Sequence, residues 1–168
     1  MPERPLNAPW RMDYIRSLER SSESQCFLCA AAAATSDAEK RDRLVLWMSA
    51  HCVVLINRYP YTNGHLLIAP KAHIAELEQL PEDVANDLTK QSTRALMLLK
   101  RAISPQGFNL GINLGRCAGA GLPGHIHQHV VPRWGGDTNF MSVVGEVRVV
   151  PQAMSQLYDE LLTASQKT

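Results

Sequence analysis

The chain has 168 residues, of which 45% are hydrophobic and 20% are charged, which is enough for one compact domain with a full core. A net charge of +1 without a long basic run excludes broad electrostatic binding to a nucleic-acid backbone. The amino-terminal segment lacks the apolar core of a signal peptide, and no stretch approaches the roughly 18 apolar residues of a membrane span. We therefore expect a single cytoplasmic domain over 1–168 that binds neither membrane nor nucleic acid.

The amino-terminal half predicts a helix followed by three strands. Apolar residues at helical spacing predict a short helix over 10–20, and the alanine-rich stretch 30–43 is interpreted as a surface connection or a short helix. Apolar and β-branched residues then alternate with turn residues such as those at 60–64. Antiparallel strands are expected over 44–47, 52–56 and 65–69.

The carboxy-terminal half predicts two further strands and two helices. Residues 81–103 have an amphipathic pattern, with acidic residues early and Lys100 and Arg101 late, as the helix dipole favours. A glycine-rich loop over 115–124 separates the two strands. The strands are expected over 108–114 and 126–131, and the final helix over 152–165. Strands with segregated helices indicate an α+β domain, with a mostly antiparallel sheet of about five strands and the long helix packed across it.

Half of the six histidines stand at alternate positions, as His125, His127 and His129. Successive side chains of an extended strand point to opposite faces, so these three imidazoles are expected to project the same way. Imidazole serves near neutral pH as a nucleophile, a proton donor or a metal ligand. The pattern therefore predicts a chemical site, with a metal site and a solvated strand face as the alternatives.

The four cysteines include a Cys-x-x-Cys pair, Cys26 and Cys29. In a reducing compartment this spacing favours metal ligands or a redox pair over a disulfide framework. Cys52 and Cys117 are interpreted as buried small residues, and His51 and His65 as structural or solvated histidines.

Several segments together carry a resemblance to a known family. Residues 125–132 read His-Ile-His-Gln-His-Val-Val-Pro, which resembles the signature of the histidine triad superfamily of nucleotidyl hydrolases and transferases. Residues 55–73 look like that family's segment ahead of the long helix. Residues 9–14 and 132–141 look like the bacterial branch that includes diadenosine tetraphosphate phosphorylases and hydrolases.

The resemblance implies roles for two histidines of the triplet. His127 would attack the α-phosphorus of a nucleotide and form a covalent nucleotidyl-histidine. A hydrogen-bond acceptor on its other ring nitrogen, usually a backbone carbonyl, would fix the tautomer. His129 would donate a hydrogen bond to a phosphate oxygen or protonate the leaving group.

The resemblance also implies substrate contacts. Asn57 matches the family asparagine that hydrogen-bonds ribose hydroxyls, although an asparagine also opens turns. The glycine-rich loop offers backbone N–H groups to phosphate, and Gly121 stands where several relatives have glutamine or serine. Leu55, Leu67 and Trp10 would line a dry slot for the base, with the core as the alternative reading for each. Asn113 and Trp134 resemble phosphate-side and substrate-side residues, and Arg133 is interpreted as a surface charge.

A zinc site is implied by four residues that match a ligand set in part of the superfamily. These are Cys26, Cys29, His73 and His125. Two thiolates and two imidazoles satisfy a closed tetrahedral zinc site. The alternative is a reduced cysteine pair with His73 capping the following helix.

These observations predict an enzyme that cleaves a nucleotide at its α-phosphorus, with a diadenosine polyphosphate as the leading substrate. The alternatives are a nucleoside phosphoramidase, an adenylylsulfate-cleaving enzyme, and a nucleotide-binding or zinc-stabilised module without turnover. The family implies a homodimer and no organic cofactor, and a divalent cation would accompany the polyphosphate.

Overall fold

A five-stranded antiparallel sheet forms the centre of the protein, in the order β1-β2-β3-β5-β4. The computed structural model describes residues 26–137 and 152–166. The strands are β1 (Val45–Met48), β2 (Cys52–Ile56), β3 (Leu66–Pro70), β4 (Gly107–Ile112) and β5 (Gln128–Arg133). The predicted α+β class and the number of strands are confirmed.

The helices lie on the two faces of this sheet. They are α1 (Phe27–Ala32), α2 (Asp37–Asp42), α3 (Glu82–Ile103) and α4 (Met154–Gln166). The predicted long helix is confirmed as α3, which begins directly after Pro81 and ends at Ser104 in the left-handed conformation (φ 47°). Short 3-10 turns at Leu77–Gln79 and Arg116–Ala118 lie in the connections.

The main core lies between one face of the sheet and helices α3 and α4. Alternate strand residues such as Val54, Ile56 and Ile68 point into it, as the period of two in a strand requires. Helix α3 contributes Leu98 and Leu99, both almost fully buried. The amphipathic pattern of the sequence therefore predicted the correct face of the long helix.

A second, smaller core lies on the opposite face, under α1. The intervening strand residues, among them Val53, Leu55 and Leu67, pack there against Leu28 and Ala31. The expected surface connection or short helix over 30–43 is thus two helices. The first begins earlier than expected and belongs to the core, because the alanines allow it to approach the sheet closely. The second, α2, is exposed and begins with a capping box formed by Ser36 and Glu39.

The strand that carries the histidine triplet starts later than its sequence pattern predicts. β5 begins at Gln128, so His125, Ile126 and His127 precede it, and β4 ends at Ile112. The backbone N–H of Ile126 donates to the carbonyl of Ile74, which belongs to no strand (2.7 Å). Tertiary contacts of this kind replace the ladder that the alternating pattern predicts.

Some expectations fall outside the described residues. These are the helix over 10–20, with Trp10, and the resembling residues 9–14 and 138–141. None of the described helices combines the length and the apolar character needed to cross a lipid bilayer.

Candidate active site and metal centre

The register of the sheet places His129 in a row with two predicted base-slot residues. Leu55 lies opposite Leu67, and Leu67 lies opposite His129. Residues directly opposite one another in a sheet share a face, so the His129 side chain lies on the α1 face. Its neighbour Gln128 points to the other face, where its side chain contacts Ser92 of α3 (2.8 Å).

His127 is buried and held in one tautomer. Its Nδ1 lies 2.8 Å from the backbone carbonyl of His125, and since a carbonyl only accepts, Nδ1 carries the hydrogen. The lone pair is therefore on Nε2. Burial lowers the pKa of His127, so that the neutral and nucleophilic form is favoured.

His129 is oriented by a second buried histidine. The ring centroids of His127 and His129 lie 5.0 Å apart. On its other side, Nδ1 of His129 lies 2.9 Å from Nε2 of His65. The backbone N–H of Tyr61 donates to Nδ1 of His65 (3.1 Å), so the neutral His65 carries its hydrogen on Nε2 and donates it to His129. This places the hydrogen of a neutral His129 on Nε2.

Burial lowers the pKa of His65 to about 3, with a smaller effect from His129 and His127. The residue is fully buried, so of the two roles expected from the sequence only the structural one is correct. Sequence reasoning missed its contact with the triplet, and it also missed Tyr61, whose ring lies 4.7 Å from that of His65. The available signal was a histidine that directly follows a turn and opens a buried strand.

The four predicted metal ligands converge. Their ligand atoms all lie within 4.8 Å of one another. Sγ of Cys26 lies 3.2 Å from Nδ1 of His125, and Sγ of Cys29 lies 3.2 Å from Nδ1 of His73. In a tetrahedral zinc site these sulfur–nitrogen separations are about 3.5 Å, so the donor set and its spacing fit zinc.

The surroundings of the group also suit a metal. Nε2 of His125 lies 2.9 Å from the carbonyl of Pro70 and must donate to it, which leaves Nδ1 as the ligating atom. Burial, together with the neighbouring Cys26, raises the pKa of the Cys29 thiol to about 11, so metal binding there displaces a proton.

His73 caps no helix, because the caps of the following turn and helix are Glu76 and Pro81. The capping alternative is therefore wrong.

Asn57 is engaged within the chain. Its Oδ1 accepts the N–H of Tyr59 (3.0 Å), as in an Asx turn, and its Nδ2 lies 3.2 Å from Nδ1 of His65. The turn role that the sequence left open is thus present. The ribose contact stays a prediction, and the position of Asn57 beside His65 is consistent with it.

The remaining predicted contacts lie in or beside the loops. Asn113 follows β4 and is half-buried, Gly121 lies in the glycine-rich loop, and Trp134 follows β5. Arg133 is a surface charge paired with Asp137. Cys117 is exposed and not buried, because the glycine-rich loop does not enter either core.

Comparison with known proteins decides the family. The family model for the HIT domain matches residues 38–136. The chain belongs to the HIT domain family. An AP-4-A phosphorylase of Mycobacterium tuberculosis is 34% identical over 151 residues, which cover 89% of this chain and 77% of that protein. The asymmetrical bis(5'-nucleosyl)-tetraphosphatase of Schizosaccharomyces pombe is 27% identical over 89 residues, which cover 53% of this chain and 48% of that protein.

The fold of this HIT domain protein is also that of a solved structure. A Zn-bound histidine triad family protein from Mycobacterium smegmatis superposes with a TM-score of 0.67 at 24% identity, covering 87% of this chain and 96% of the other. The HIT domain match spans β1 to the end of β5 and includes the whole triplet. The resemblance inferred from the sequence is confirmed.

Proposed function

We propose that this protein transfers a nucleotidyl group from a dinucleoside polyphosphate, such as diadenosine tetraphosphate, to inorganic phosphate through a covalent bond to His127. The observation that carries the proposal is the fixed tautomer of His127, which has its hydrogen on Nδ1 and its lone pair on Nε2. A neutral, buried imidazole with one committed nitrogen is prepared for nucleophilic attack.

In the first step Nε2 of His127 attacks the α-phosphorus. An N–P bond forms, the P–O bond to the remaining phosphates breaks, and the leaving group is ATP when the substrate is diadenosine tetraphosphate. The ring of His129 lies beside that of His127. With its hydrogen on Nε2, His129 donates to a phosphate oxygen and stabilises the charge that develops in the transition state.

In the second step inorganic phosphate attacks the same phosphorus. The N–P bond breaks, His127 recovers its lone pair, and the product is ADP. The choice of phosphate over water as acceptor rests on the Mycobacterium tuberculosis relative, which is named as a phosphorylase and aligns over most of this chain. The Schizosaccharomyces pombe relative is named as a tetraphosphatase, and it makes hydrolysis the competing outcome.

The rest of the substrate is assigned to the α1 face and the neighbouring loops. We assign the base to the edge of the smaller core, where Leu55 and Leu67 lie in one row with His129. Both side chains are almost fully buried in that core, so the core role that the sequence left open is present as well. We assign the ribose to Asn57. The phosphate chain is assigned to the backbone of the glycine-rich loop at Gly121, with Asn113 and Trp134 beside it.

We further propose that Cys26, Cys29, His73 and His125 hold a zinc ion. Its chemistry when bound is that of a closed structural cross-link, because all four positions of a tetrahedron are filled by protein atoms. The residues themselves join α1 to the segments before α3 and before β5.

Product analysis tests the reaction. Purified protein is incubated with diadenosine tetraphosphate, with and without inorganic phosphate. ADP plus ATP formed only with phosphate supports the proposal, whereas AMP plus ATP indicates hydrolysis. Adenylylsulfate and an adenosine phosphoramidate, tested alongside, address the alternative substrates. If the protein binds nucleotide but cleaves none of the three, the proposed reaction is wrong and the binding-module alternative is favoured.

Replacing the nucleophile tests the mechanism. We expect His127→Asn to lower kcat by about a thousandfold or more, because no other group replaces the lone pair of Nε2. His51→Asn is the matched control, since His51 lies on the surface and pairs with Asp83. Substrate labelled at the α-phosphorus, quenched in alkali, should leave label on the wild type and the control but not on His127→Asn. Equal labelling of all three would contradict the assignment.

We propose that the protein is a homodimer joined through β4. This strand lies at the edge of the sheet, and Leu110 is 42% exposed. An open edge with apolar side chains favours pairing with a second copy. Sedimentation analysis should give a dimer for the wild type and a monomer for Leu110→Lys. A wild-type monomer at micromolar concentration would overturn this assignment.

We also propose that residues 1–168 form one domain and that it works in the cytoplasm. Helix α4 packs on α3, which supports a single unit. All four cysteines are free thiols, and a reducing compartment preserves a thiol pair for a metal. Cell fractionation tests the location, and recovery outside the cytoplasm would contradict it.

A further inference from the structure

We propose that the metal-ligand group does more than brace the fold: it fixes the backbone carbonyl of His125 that orients the nucleophile, so that Cys26, Cys29 and His73 are positioning residues for His127. The inference rests on the proposed function of His127, and its structural part can be tested without turnover.

The nucleophile lies outside the hydrogen-bond ladder of the sheet. β5 begins at Gln128, and its pairing with β3 and β4 starts at that residue. The ladder therefore fixes His129 directly, since it lies opposite Leu67, but it does not fix His127. Something other than the sheet must hold the segment over 125–127.

The ring of His125 supplies that hold because both of its nitrogens are engaged. Nε2 donates to the carbonyl of Pro70 at the end of β3. Nδ1 lies 3.2 Å from Sγ of Cys26 and 3.5 Å from Sγ of Cys29. The residue is fully buried, so its side chain has no alternative placement without repacking.

The segment that carries His73 makes two further contacts with the segment over 125–127. The rings of His73 and His125 meet edge to face, with centroids 4.9 Å apart. The next residue, Ile74, accepts the backbone N–H of Ile126. Side chain and backbone thus tie 73–74 to 125–126, directly before the nucleophile.

The consequence for His127 follows from one hydrogen bond. Its Nδ1–H donates to the carbonyl of His125, the same residue whose ring lies in the ligand group. When that carbonyl moves, the Nδ1–H loses its acceptor. The ring is then free to change tautomer, and the orientation of Nε2 is no longer fixed. Misplacement by about 1 Å costs about a hundredfold in rate when attack geometry is the requirement.

Histidine-ring nitrogen spectroscopy tests the coupling on the full chain. Long-range proton–nitrogen correlation reports which ring nitrogen carries hydrogen, and the His127 signal is assigned by its loss in His127→Asn. Spectra are recorded on zinc-loaded protein and on protein treated with a chelator, with circular dichroism to verify that the fold is retained. We expect a single Nδ1–H tautomer for His127 with zinc and a mixture of tautomers without it, while His65 and His129 keep theirs.

Variants make the test independent of chelation. His73→Asn removes an exposed ligand without opening a cavity in either core, and His51→Asn is the matched surface control. His73→Asn should reproduce the tautomer mixture and lower kcat by about tenfold to a hundredfold with little change in KM. His51→Asn should leave the spectrum and both constants unchanged.

Two results would overturn the inference. One is a zinc-free, folded protein or a folded His73→Asn variant in which His127 keeps the single Nδ1–H tautomer. The other is wild-type protein that binds no zinc when zinc alone is offered. Failure of the proposed reaction is distinguishable, because it would appear as absent product while the tautomer still responded to zinc.

Discussion

At the scale of single residues, backbone groups decide the chemistry of the histidines. The carbonyl of His125 sets the tautomer of His127, and the N–H of Tyr61 sets that of His65. His65 in turn sets the tautomer of His129 through the hydrogen bond between their rings. The contacts of His127 and of His65 with the backbone each join an imidazole to a group that does not ionise. Burial adds the second condition, since it keeps His65 and His127 neutral.

The buried state of His65 predicts a pH dependence of stability. Its pKa falls from 6.5 to about 3 on folding, so between these values the unfolded chain binds a proton that the folded protein does not. The stabilisation from a neutral His65 is therefore complete above pH 6.5 and is lost as the pH falls toward 3. The loss is at most about 1.4 kcal/mol per pH unit.

Urea denaturation of the wild type and of His65→Gln measures this effect. The free energy of unfolding should fall more steeply with decreasing pH in the wild type, because the variant lacks the titrating group. Parallel curves for the two proteins below pH 6.5 would show that His65 is protonated in the folded state.

At the scale of elements, three of the helices cover different parts of the sheet. Helix α3 covers the main core, α1 covers the smaller core and carries Cys29, and α4 closes the main core beside β1. The hydroxyl of Tyr158 in α4 donates to the carbonyl of Val45 in β1 (3.0 Å), and its ring lies under Arg41. This contact holds the last helix against the first strand.

Removing the hydroxyl should loosen α4. We expect Tyr158→Phe to lower the free energy of unfolding by about 1 kcal/mol, because the buried carbonyl of Val45 loses this donor. The ring that contacts Arg41 is kept, so Tyr158→Leu should cost more. Equal unfolding midpoints for the wild type and Tyr158→Phe would show that the hydrogen bond contributes nothing.

At the scale of the whole molecule, the ligand group connects parts that are far apart in the chain. Cys26 and His125 are separated by 99 positions, and Cys29 and His73 by 44. A metal held there ties α1 to the sheet only in the folded state, so its binding free energy adds to stability.

Removing the metal should therefore lower Tm. A metal present at a hundred times its Kd stabilises by about 2.7 kcal/mol, which corresponds to about 5–10 °C for a chain of this length. Scanning calorimetry with and without a chelator measures the shift, and added zinc should reverse it. His73→Asn should show a much smaller response, and an unchanged wild-type Tm in chelator would contradict the zinc assignment.

The extent of successful prediction differs between elements for physical reasons. The long helix was predicted almost to the residue, because its apolar periodicity is set by burial of one face against the sheet. β2 was predicted to the residue because its continuous apolar run is buried on both faces of the sheet. The stretch over 30–43 was less accurate, since alanine carries little periodic signal. All four metal ligands were named correctly as a group that meets in space. Spacing indicated only the cysteine pair, as metal ligands or a redox pair, and the full set came from a family resemblance.

The sequence by itself determined the fold class, the triplet and the membership of a nucleotide-processing family, because these depend on local periodicity and on motifs that are contiguous in the chain. Only the tertiary structure decided that β5 starts at Gln128, that His65 orients His129, and that the His125 ring is held from both sides. Those facts depend on which distant backbone groups meet each imidazole. The alternating pattern along one strand does not identify such partners, because they lie on segments that come together only when the chain folds.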